Sequence, residues 1–151
     1  MKLAVDVQNV SQEQSVPDEE DFRRWSELAL VDSGKTGFSV VLRIVDEPES
    51  QQLNADYRNK NYPTNVLSFP FEMPEFVEEQ HLGDLVICAP VVNREATEQH
   101  KELDAHWAHM VIHGMLHLQG YDHIEADQAD EMEGLEIDLL QQLNINNPYE
   151  D

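Results

Sequence analysis

Hydrophobic residues recur along the chain with two different periods, and these periods predict four strands and about five helices. Every second residue is apolar over 2–7, which is typical of a half-buried strand. The run 38–45 is strongly apolar and β-branched, which is typical of a strand covered on both faces. The predicted strands are residues 2–7, 38–45, 65–69 and 83–88, with an acidic loop expected over 72–80.

Helical spacing of apolar residues occupies the segments between and after these strands. The predicted helices are about 17–31, 46–61, 91–98, 103–118 and 125–143. In the second of them Asp46 is the expected N-cap, and Leu53 and Tyr57 are expected to point inward. In the fourth, Gly114 is expected to let the helix pack closely or to leave room beside it. The end of the last helix is expected to fray over 144–148, because asparagines and a proline follow it.

The order of the elements predicts an α+β fold with a mixed four-stranded sheet and about five packed helices. A strand, a helix and a strand come first, which predicts one early β-α-β unit. A chain of 151 residues fits a single domain, here 1–151, that can bury a core. No apolar run has the length of a membrane span, and the amino terminus lacks the pattern of a signal peptide. A cytoplasmic protein is therefore expected.

The balance of acidic and basic residues argues against one class of function, namely proteins that coat nucleic acid. Nine basic residues against 31 acidic ones give a net charge of −22. Such a field repels phosphates, which argues against a protein that coats nucleic acid with a broad basic surface. An enzyme with a small, locally positive cleft is still allowed. Cys88 is the only cysteine, so an intrachain disulfide and a cysteine-rich structural zinc site are both excluded.

The residues best suited to bind a metal lie at the end of the long fourth predicted helix. His113 and His117 lie one helical turn apart, so their side chains share a face and can hold one metal ion. Gly120 can end the helix and turn the chain so that His123 becomes a third ligand. Three nitrogens leave an open position on a tetrahedral zinc ion, which is the catalytic arrangement. By spacing alone, His109 with His113 is an equally good pair; the continuation to His123 favours the pair with His117.

Water activated by such a metal can hydrolyse an ester, an amide or a phosphodiester. In one class of zinc peptidases the residue after the first histidine is the general base, but here it is Gly114, which cannot transfer a proton. This weakens the peptidase hypothesis, although Asp122 could substitute. Arg58 and Lys60 would make a local phosphate-binding spot at the end of the second helix. An equally good explanation of Arg58 is a cation that complements the helix dipole.

Three segments follow one another along the chain, and together they form a specific signature. They are RNKNYPTNVLSFP at 58–70, GDLVIC at 83–88 and HGMLHLQGYDH at 113–123. In sequence and in order they resemble the YbeY family of bacterial metallo-endoribonucleases, and 131–143 also looks like the last helix of that family. The similarity covers nearly the whole chain apart from the acidic loop at 72–80.

The resemblance implies a single-strand-specific endoribonuclease that acts in maturation of the 3′ end of 16S ribosomal RNA and in ribosome quality control. It implies that one zinc ion per chain is held by His113, His117 and His123, and that Arg58 is the catalytic arginine. Lys60 and Ser68 are weaker candidates for contacts with the RNA strand. The expected partners are single-stranded or ribosomal RNA and the ribosome or its small subunit. A delivery protein is also expected, since the net charge of −22 predicts weak affinity for RNA.

Two other classes of function stay open on the sequence. A metal-dependent hydrolase of a peptide or a small molecule would use the same activated water, and only substrate turnover would distinguish it. A non-catalytic ribosome-assembly factor would use the metal to hold a binding surface. In that case a fourth protein ligand is expected to close the metal site.

Overall fold

A computed structural model of the chain describes residues 2–31, 37–72, 74, 76–122 and 125–149. These residues form four strands and five helices. In chain order they are β1 (Lys2–Asn9), α1 (Glu19–Leu28), β2 (Gly37–Val45), α2 (Glu47–Arg58), β3 (Val66–Pro70), β4 (Glu79–Cys88), α3 (Ala89–Glu98), α4 (Leu103–Leu118) and α5 (Ala126–Gln142). Across the described part of the chain, no helix combines the length and the apolar character that a membrane crossing needs.

The strands form one mixed sheet in the order β1-β2-β4-β3. β1, β2 and β4 are parallel, and β3 runs antiparallel to β4 at the edge. The predicted α+β class, the four-stranded mixed sheet and the early β-α-β unit are therefore confirmed. The parallel pair β1–β2 is joined through α1, as a crossover connection requires.

Strand β4 is buried on both faces from Leu85 to Cys88, and its alternate residues enter different clusters. Strand β2 buries one face and leaves the other half-buried, so the prediction that it is covered on both faces is only partly met. Leu85 and Ile87 of β4 belong to the larger cluster, which also contains Trp107 of α4. Val86 and Cys88 belong to a smaller cluster, against which Leu53 of α2 packs. The helices α4 and α2 therefore contribute to opposite sides of the sheet.

Gly114 sets how closely α4 approaches the sheet. A Cβ atom at this position would lie 2.7 Å from Leu85 Cδ2, well inside van der Waals contact. Any larger residue would force Leu85 to shift, so glycine permits this close approach, which confirms the expectation of close packing. Gly114 and Leu85 thus fix the side of α4 that faces the sheet, whereas the neighbouring His113 contacts Glu136 of α5.

The fourth strand is longer than its pattern predicted. It begins at Glu79, so the acidic loop expected over 72–80 does not extend that far. Its first residues pair with Gly37 to Ser39 of β2, and the register shifts between Ser39 and Val40. Residues 79–82 are exposed or only half-buried, so they lack the alternation that reveals a strand.

Two side chains of the α2 region differ from their predictions. Asp46 occupies the N-cap position, but its carboxylate makes no cap hydrogen bond. Instead it accepts hydrogen bonds from Ser11 Oγ at 2.5 Å and from the Gln12 backbone N–H at 3.0 Å. Tyr57, expected to point inward, is 68% exposed and touches Phe69 only through a ring edge. The positions of both side chains are set by contacts with segments distant in sequence, and the spacing of apolar residues does not reveal such contacts.

Candidate metal centre

A row of four histidines follows one side of α4. They are His106, His109, His113 and His117, spaced by three or four residues, so each ring lies one turn beyond the last. Successive ring centroids are 6.2, 6.2 and 4.6 Å apart. The first two rings are buried and the last two are half-buried. Access from solvent is therefore greatest at the carboxyl end of the row.

The pair His113 and His117 has the geometry of two ligands of one cation. Their Nε2 atoms are 3.1 Å apart. Zinc binds imidazole nitrogen at 2.0–2.1 Å, so two nitrogens on a tetrahedral ion lie about 3.3 Å apart. The two rings therefore fit a shared ion with little movement.

A second set of possible metal ligands lies around the Nδ1 atom of His113. One ligand atom each from His109, His113 and Glu136 lies within 4.8 Å of the other two. These three residues could hold a metal ion. His109 was an alternative partner of His113 in the sequence, whereas Glu136 was missed. The spacing of apolar residues could have revealed it, because Glu136 lies four residues after Met132 and four before Leu140, on the buried side of α5.

The carboxylate of Glu136 is completely buried and is surrounded by polar atoms of three side chains. His113 Nδ1 lies 2.5 Å from Oε1, and His109 Nε2 lies 3.3 Å from the same oxygen. The Tyr149 hydroxyl donates to Oε2 at 2.5 Å. Burial alone would raise the pKa of Glu136, but the hydrogen bonds from His109, His113 and Tyr149 outweigh it and lower the pKa to about 2. Glu136 is therefore ionised at neutral pH.

Two of the groups around Glu136, His109 and Tyr149, keep their neutral form. Burial lowers the pKa of His109, which favours its uncharged form. Burial and the hydrogen bond to Glu136 raise the pKa of Tyr149, so its hydroxyl keeps its proton. A distance of 2.5 Å between His113 Nδ1 and Glu136 is typical of a strong hydrogen bond and shorter than the separation of two ligands on one ion. Because Glu136 can only accept, His113 Nδ1 carries a proton, and Nε2 is the nitrogen that faces His117.

The remaining predicted residues lie at different places in the fold. Arg58 is the last residue of α2 and is exposed, and Lys60 follows it on the surface. Within the described ranges, neither forms an ion pair or a side-chain hydrogen bond with the histidines of α4. Ser68 of β3 is half-buried and pairs with Leu85 of β4, so both side chains project from the sheet face that α4 covers. His123 lies outside the described residues.

The turn after α4 has the form that the sequence predicted. The helix ends at Leu118, and Gly120 has a φ of 101°, a conformation that glycine adopts without strain. Beside this turn is a cavity of about 440 Å³. Asp122, the suggested substitute base, lines this cavity together with Tyr121 and Glu131. The cavity thus opens next to the segment that leads to His123.

Comparison with known proteins identifies the family. The family model described as Endoribonuclease YbeY matches residues 6–144. The chain belongs to the endoribonuclease YbeY family. A YbeY from Methylococcus capsulatus is 61% identical over 135 residues, which cover 89% of this chain and 88% of the relative. A YbeY from Alteromonas mediterranea is 50% identical over 155 residues, covering 99% of this chain and 98% of the relative.

The fold also has a solved counterpart. The solution structure of TM1509 from Thermotoga maritima aligns with a TM-score of 0.54 and 22% sequence identity. The alignment covers 97% of this chain and 99% of the other. This likeness concerns the fold alone. YbeY membership, which rests on the sequence relatives, supports an RNA endonuclease activity.

Proposed function

We propose that this YbeY-family chain is a metal-dependent, single-strand-specific endoribonuclease that acts in maturation of the 3′ end of 16S ribosomal RNA and in ribosome quality control. The observation that carries the metal-dependent part is the 3.1 Å separation of His113 Nε2 and His117 Nε2. Family membership supplies the class of substrate, since the relatives at 61% and 50% identity are both named endoribonucleases.

The proposed ion is one zinc per chain, held by His113, His117 and His123. Neutral imidazole nitrogens are ligands that zinc prefers, and three of them leave a position open. The positive φ of Gly120 supports the third ligand, because it turns the chain just before His123. When bound, such a cation supplies a water whose pKa is lowered towards about 7, which can serve as nucleophile. The alternative set, His109 with His113 and Glu136, is disfavoured by the short hydrogen bond between His113 and Glu136.

The proposed role of Arg58 is to bind the phosphate at the cleavage site and to offset the charge that develops on its oxygens. A guanidinium can donate two parallel hydrogen bonds to a phosphate. Arg24, Arg43 and Arg94 each pair with a carboxylate, whereas Arg58 pairs with none in the described parts of the chain. Its charge is therefore not already neutralised by such a partner.

Lys60 and Ser68 are proposed to contact the RNA strand. Lys60 is exposed two residues after Arg58 and offers a second positive charge. Ser68 lies on edge strand β3, on the sheet face next to α4, and its hydroxyl can donate a hydrogen bond to a phosphate oxygen. Together they would guide a strand along the open edge of the sheet.

The proposed partners follow from the charge. At a net charge of −22 the free protein is expected to bind RNA weakly, so the ribosome, its small subunit or a delivery protein would bring enzyme and substrate together. The cytoplasm is the proposed location, because ribosomal RNA is processed there in bacteria.

The test compares variants on matched single-stranded and duplex RNA. We expect His117→Ala to lose both bound zinc and cleavage, and Arg58→Ala to keep zinc but cleave about 100-fold more slowly, the scale of losing one charge-stabilising donor. Arg23→Ala, which removes an exposed arginine of α1, is the control and should cleave like the unaltered protein. Equal cutting of duplex RNA, or full activity of His117→Ala in a chelator, would disprove the proposal.

A further inference from the structure

Glu136 is a buried charge without a cationic residue as its partner. Its side chain has an exposure of 0%, and within the described residues its partners are histidines and a tyrosine, with no lysine or arginine. A buried carboxylate is unfavourable unless hydrogen bonds compensate for the lost water. An apolar side chain in the same place on α5 would avoid this cost. The arrangement of its donors is therefore the feature to explain.

The polar atoms around Glu136 are divided between its two carboxylate oxygens. His113 Nδ1 and His109 Nε2 both lie beside Oε1, and the Tyr149 hydroxyl donates to Oε2. His109 Nδ1 is buried and has no hydrogen-bond partner in the described chain, so the ring proton belongs on Nε2, facing Glu136 and Tyr149. The carboxylate of Glu136 thus accepts hydrogen bonds from His113 and Tyr149, and His109 Nε2 lies close both to Oε1 and to the Tyr149 hydroxyl.

The consequence for His113 is a fixed ring orientation and a fixed tautomer. With Nδ1 donating to Glu136, Nε2 is the nitrogen left to bind a metal, and it lies 3.1 Å from His117 Nε2. Turning the ring over would break the 2.5 Å hydrogen bond inside a buried environment. A carboxylate that accepts a hydrogen bond from the non-ligating nitrogen of a histidine also makes the other nitrogen a stronger ligand for a metal.

The chain after α5 completes this arrangement, although the sequence predicted that it frays. Asn144 has a φ of 62°, which turns the chain back towards α4. Lys101 Nζ donates to the Pro148 carbonyl at 3.2 Å, and the Tyr149 backbone N–H donates to Asn147 Oδ1 at 2.8 Å. The helix itself ends at Gln142, just before the segment 144–148 where the sequence predicted its end, and these contacts connect the segment after it to the residues just before α4.

We propose that Glu136 is a positioning residue of the metal site and that Tyr149, from the carboxyl-terminal segment, holds its carboxylate in place. Glu136 sets the tautomer and orientation of His113, so that Nε2 is already directed at the cation before it binds. This inference rests on the proposed role of His113 as a ligand. It adds α5 and the carboxyl-terminal segment to the functional unit, although neither supplies a ligand.

The experiment measures zinc affinity by competition with a chromophoric chelator, together with the nitrogen chemical shifts of the His113 ring in the metal-free protein. We expect Glu136→Gln to bind zinc 10- to 100-fold more weakly, the range seen when the partner of a ligand histidine is lost. It should also reduce the population of His113 protonated at Nδ1. Tyr149→Phe should have a smaller effect in the same direction, and Glu136→Asp should recover part of the loss.

The control is Asp138→Asn, which removes an exposed carboxylate from the same helix and should change neither quantity. Should Glu136→Gln fail to fold, Tyr149→Phe and Glu136→Asp carry the test. A folded Glu136→Gln protein with unchanged zinc affinity and an unchanged His113 tautomer would overturn the proposal. A larger loss of zinc affinity in His109→Gln than in His117→Ala would also overturn it. That result would mean that His109 and Glu136 bind the zinc as ligands.

Neither measurement uses RNA, so the two proposals fail separately. Zinc binding that weakens in Glu136→Gln supports the positioning role even if the unaltered protein cuts no RNA. Cleavage of RNA by a Glu136→Gln protein that binds zinc normally would refute the positioning role and leave the proposed activity intact.

Discussion

At the scale of single residues, the histidines of α4 are distinguished by the carboxylates they meet. His106 Nε2 lies 2.9 Å from Glu95 of α3, away from the proposed ligands, whereas His113 meets Glu136 of α5. Burial alone would raise the pKa of Glu95, but the hydrogen bonds from His106 and Asn65 outweigh it and the pKa is lowered. The first pair is therefore a structural hydrogen-bonded pair, whose effect on folding can be measured apart from any metal.

The Glu95 site predicts a defined pH dependence of folding. Its folded-state pKa lies below the ordinary 4.5, so its contribution to stability is complete above about pH 4.5 and is lost as the pH falls through the lower folded value. We expect Glu95→Gln to lower the free energy of unfolding at pH 6.5, and the difference from the unaltered protein to shrink below pH 4.5. Urea denaturation at a series of pH values measures this.

Glu98→Gln is the matched control, because Glu98 is an exposed carboxylate of the same helix without a hydrogen bond to any described residue. It should leave the stability nearly unchanged across the series. A difference between Glu95→Gln and the unaltered protein that stays constant from neutral to acid pH would contradict the prediction.

At the scale of elements, the contact between α4 and β4 fixes the position of the helix that carries the histidine row. Gly114 is buried against Leu85 at the centre of this contact, and the proposed ligands lie on either side of it in α4. The helix α5 approaches from another side and supplies Glu136. Three elements that are separate in sequence therefore define one site, and the spacing between α4 and β4 depends on a missing side chain.

Two glycine-to-alanine substitutions test this packing. Alanine favours a helix interior over glycine by about 1 kcal/mol. At Gly134 of α5 an added Cβ meets nothing within 4 Å, so we expect Gly134→Ala to raise the free energy of unfolding by up to about 1 kcal/mol. At Gly114 the overlap with Leu85 should cost about 1–3 kcal/mol, which equals or exceeds the gain.

Thermal or urea denaturation of the two variants side by side gives the comparison. Gly114→Ala should be less stable than Gly134→Ala, although both place the same residue inside a helix. A Gly114→Ala protein as stable as Gly134→Ala would mean that Leu85 moves aside without cost and that the close approach is not required.

At the scale of the whole molecule, the net charge of −22 opposes the RNA substrate that the family implies. The acidic residues include the exposed Glu19 and Glu20 at the start of α1. Arg24, Arg43 and Arg94 are each paired with a carboxylate, so they add little positive field. Long-range repulsion and short-range attraction at Arg58 should therefore act in opposite directions on an approaching strand.

This opposition predicts an unusual salt dependence of RNA cleavage. Raising monovalent salt from 0.01 M to 0.1 M shortens the Debye length from about 30 Å to about 10 Å, which screens distant acids more than local contacts. We expect kcat/KM on single-stranded RNA to rise over this range, whereas proteins with basic RNA-binding surfaces lose affinity steeply. Neutralising Glu19 and Glu20 as glutamines should reduce the rise, and a steep fall in the unaltered protein would contradict the prediction.

The positions of most elements follow from periodicity, because each helix or strand that faces a core must repeat its apolar residues at its own period. The paired histidines of α4 also follow from local geometry, since a helix places residues four apart on one face. Where the apolar pattern is weak, prediction fails. The start of β4 is half-buried, and Tyr57 is exposed at a position where helical spacing predicts the core.

The sequence by itself determined the α+β class, the order of the elements, the His113–His117 pair and the family, because each depends on local spacing or on similarity along the chain. Only the tertiary structure decided which nitrogen of His113 faces His117 and which group fixes it. That choice depends on Glu136, 23 residues further along the chain, which meets His113, and on Tyr149, 36 residues further along, which meets Glu136, once α5 and the last segment have packed against α4. Side-chain orientation is set by such distant partners, and no local pattern records them.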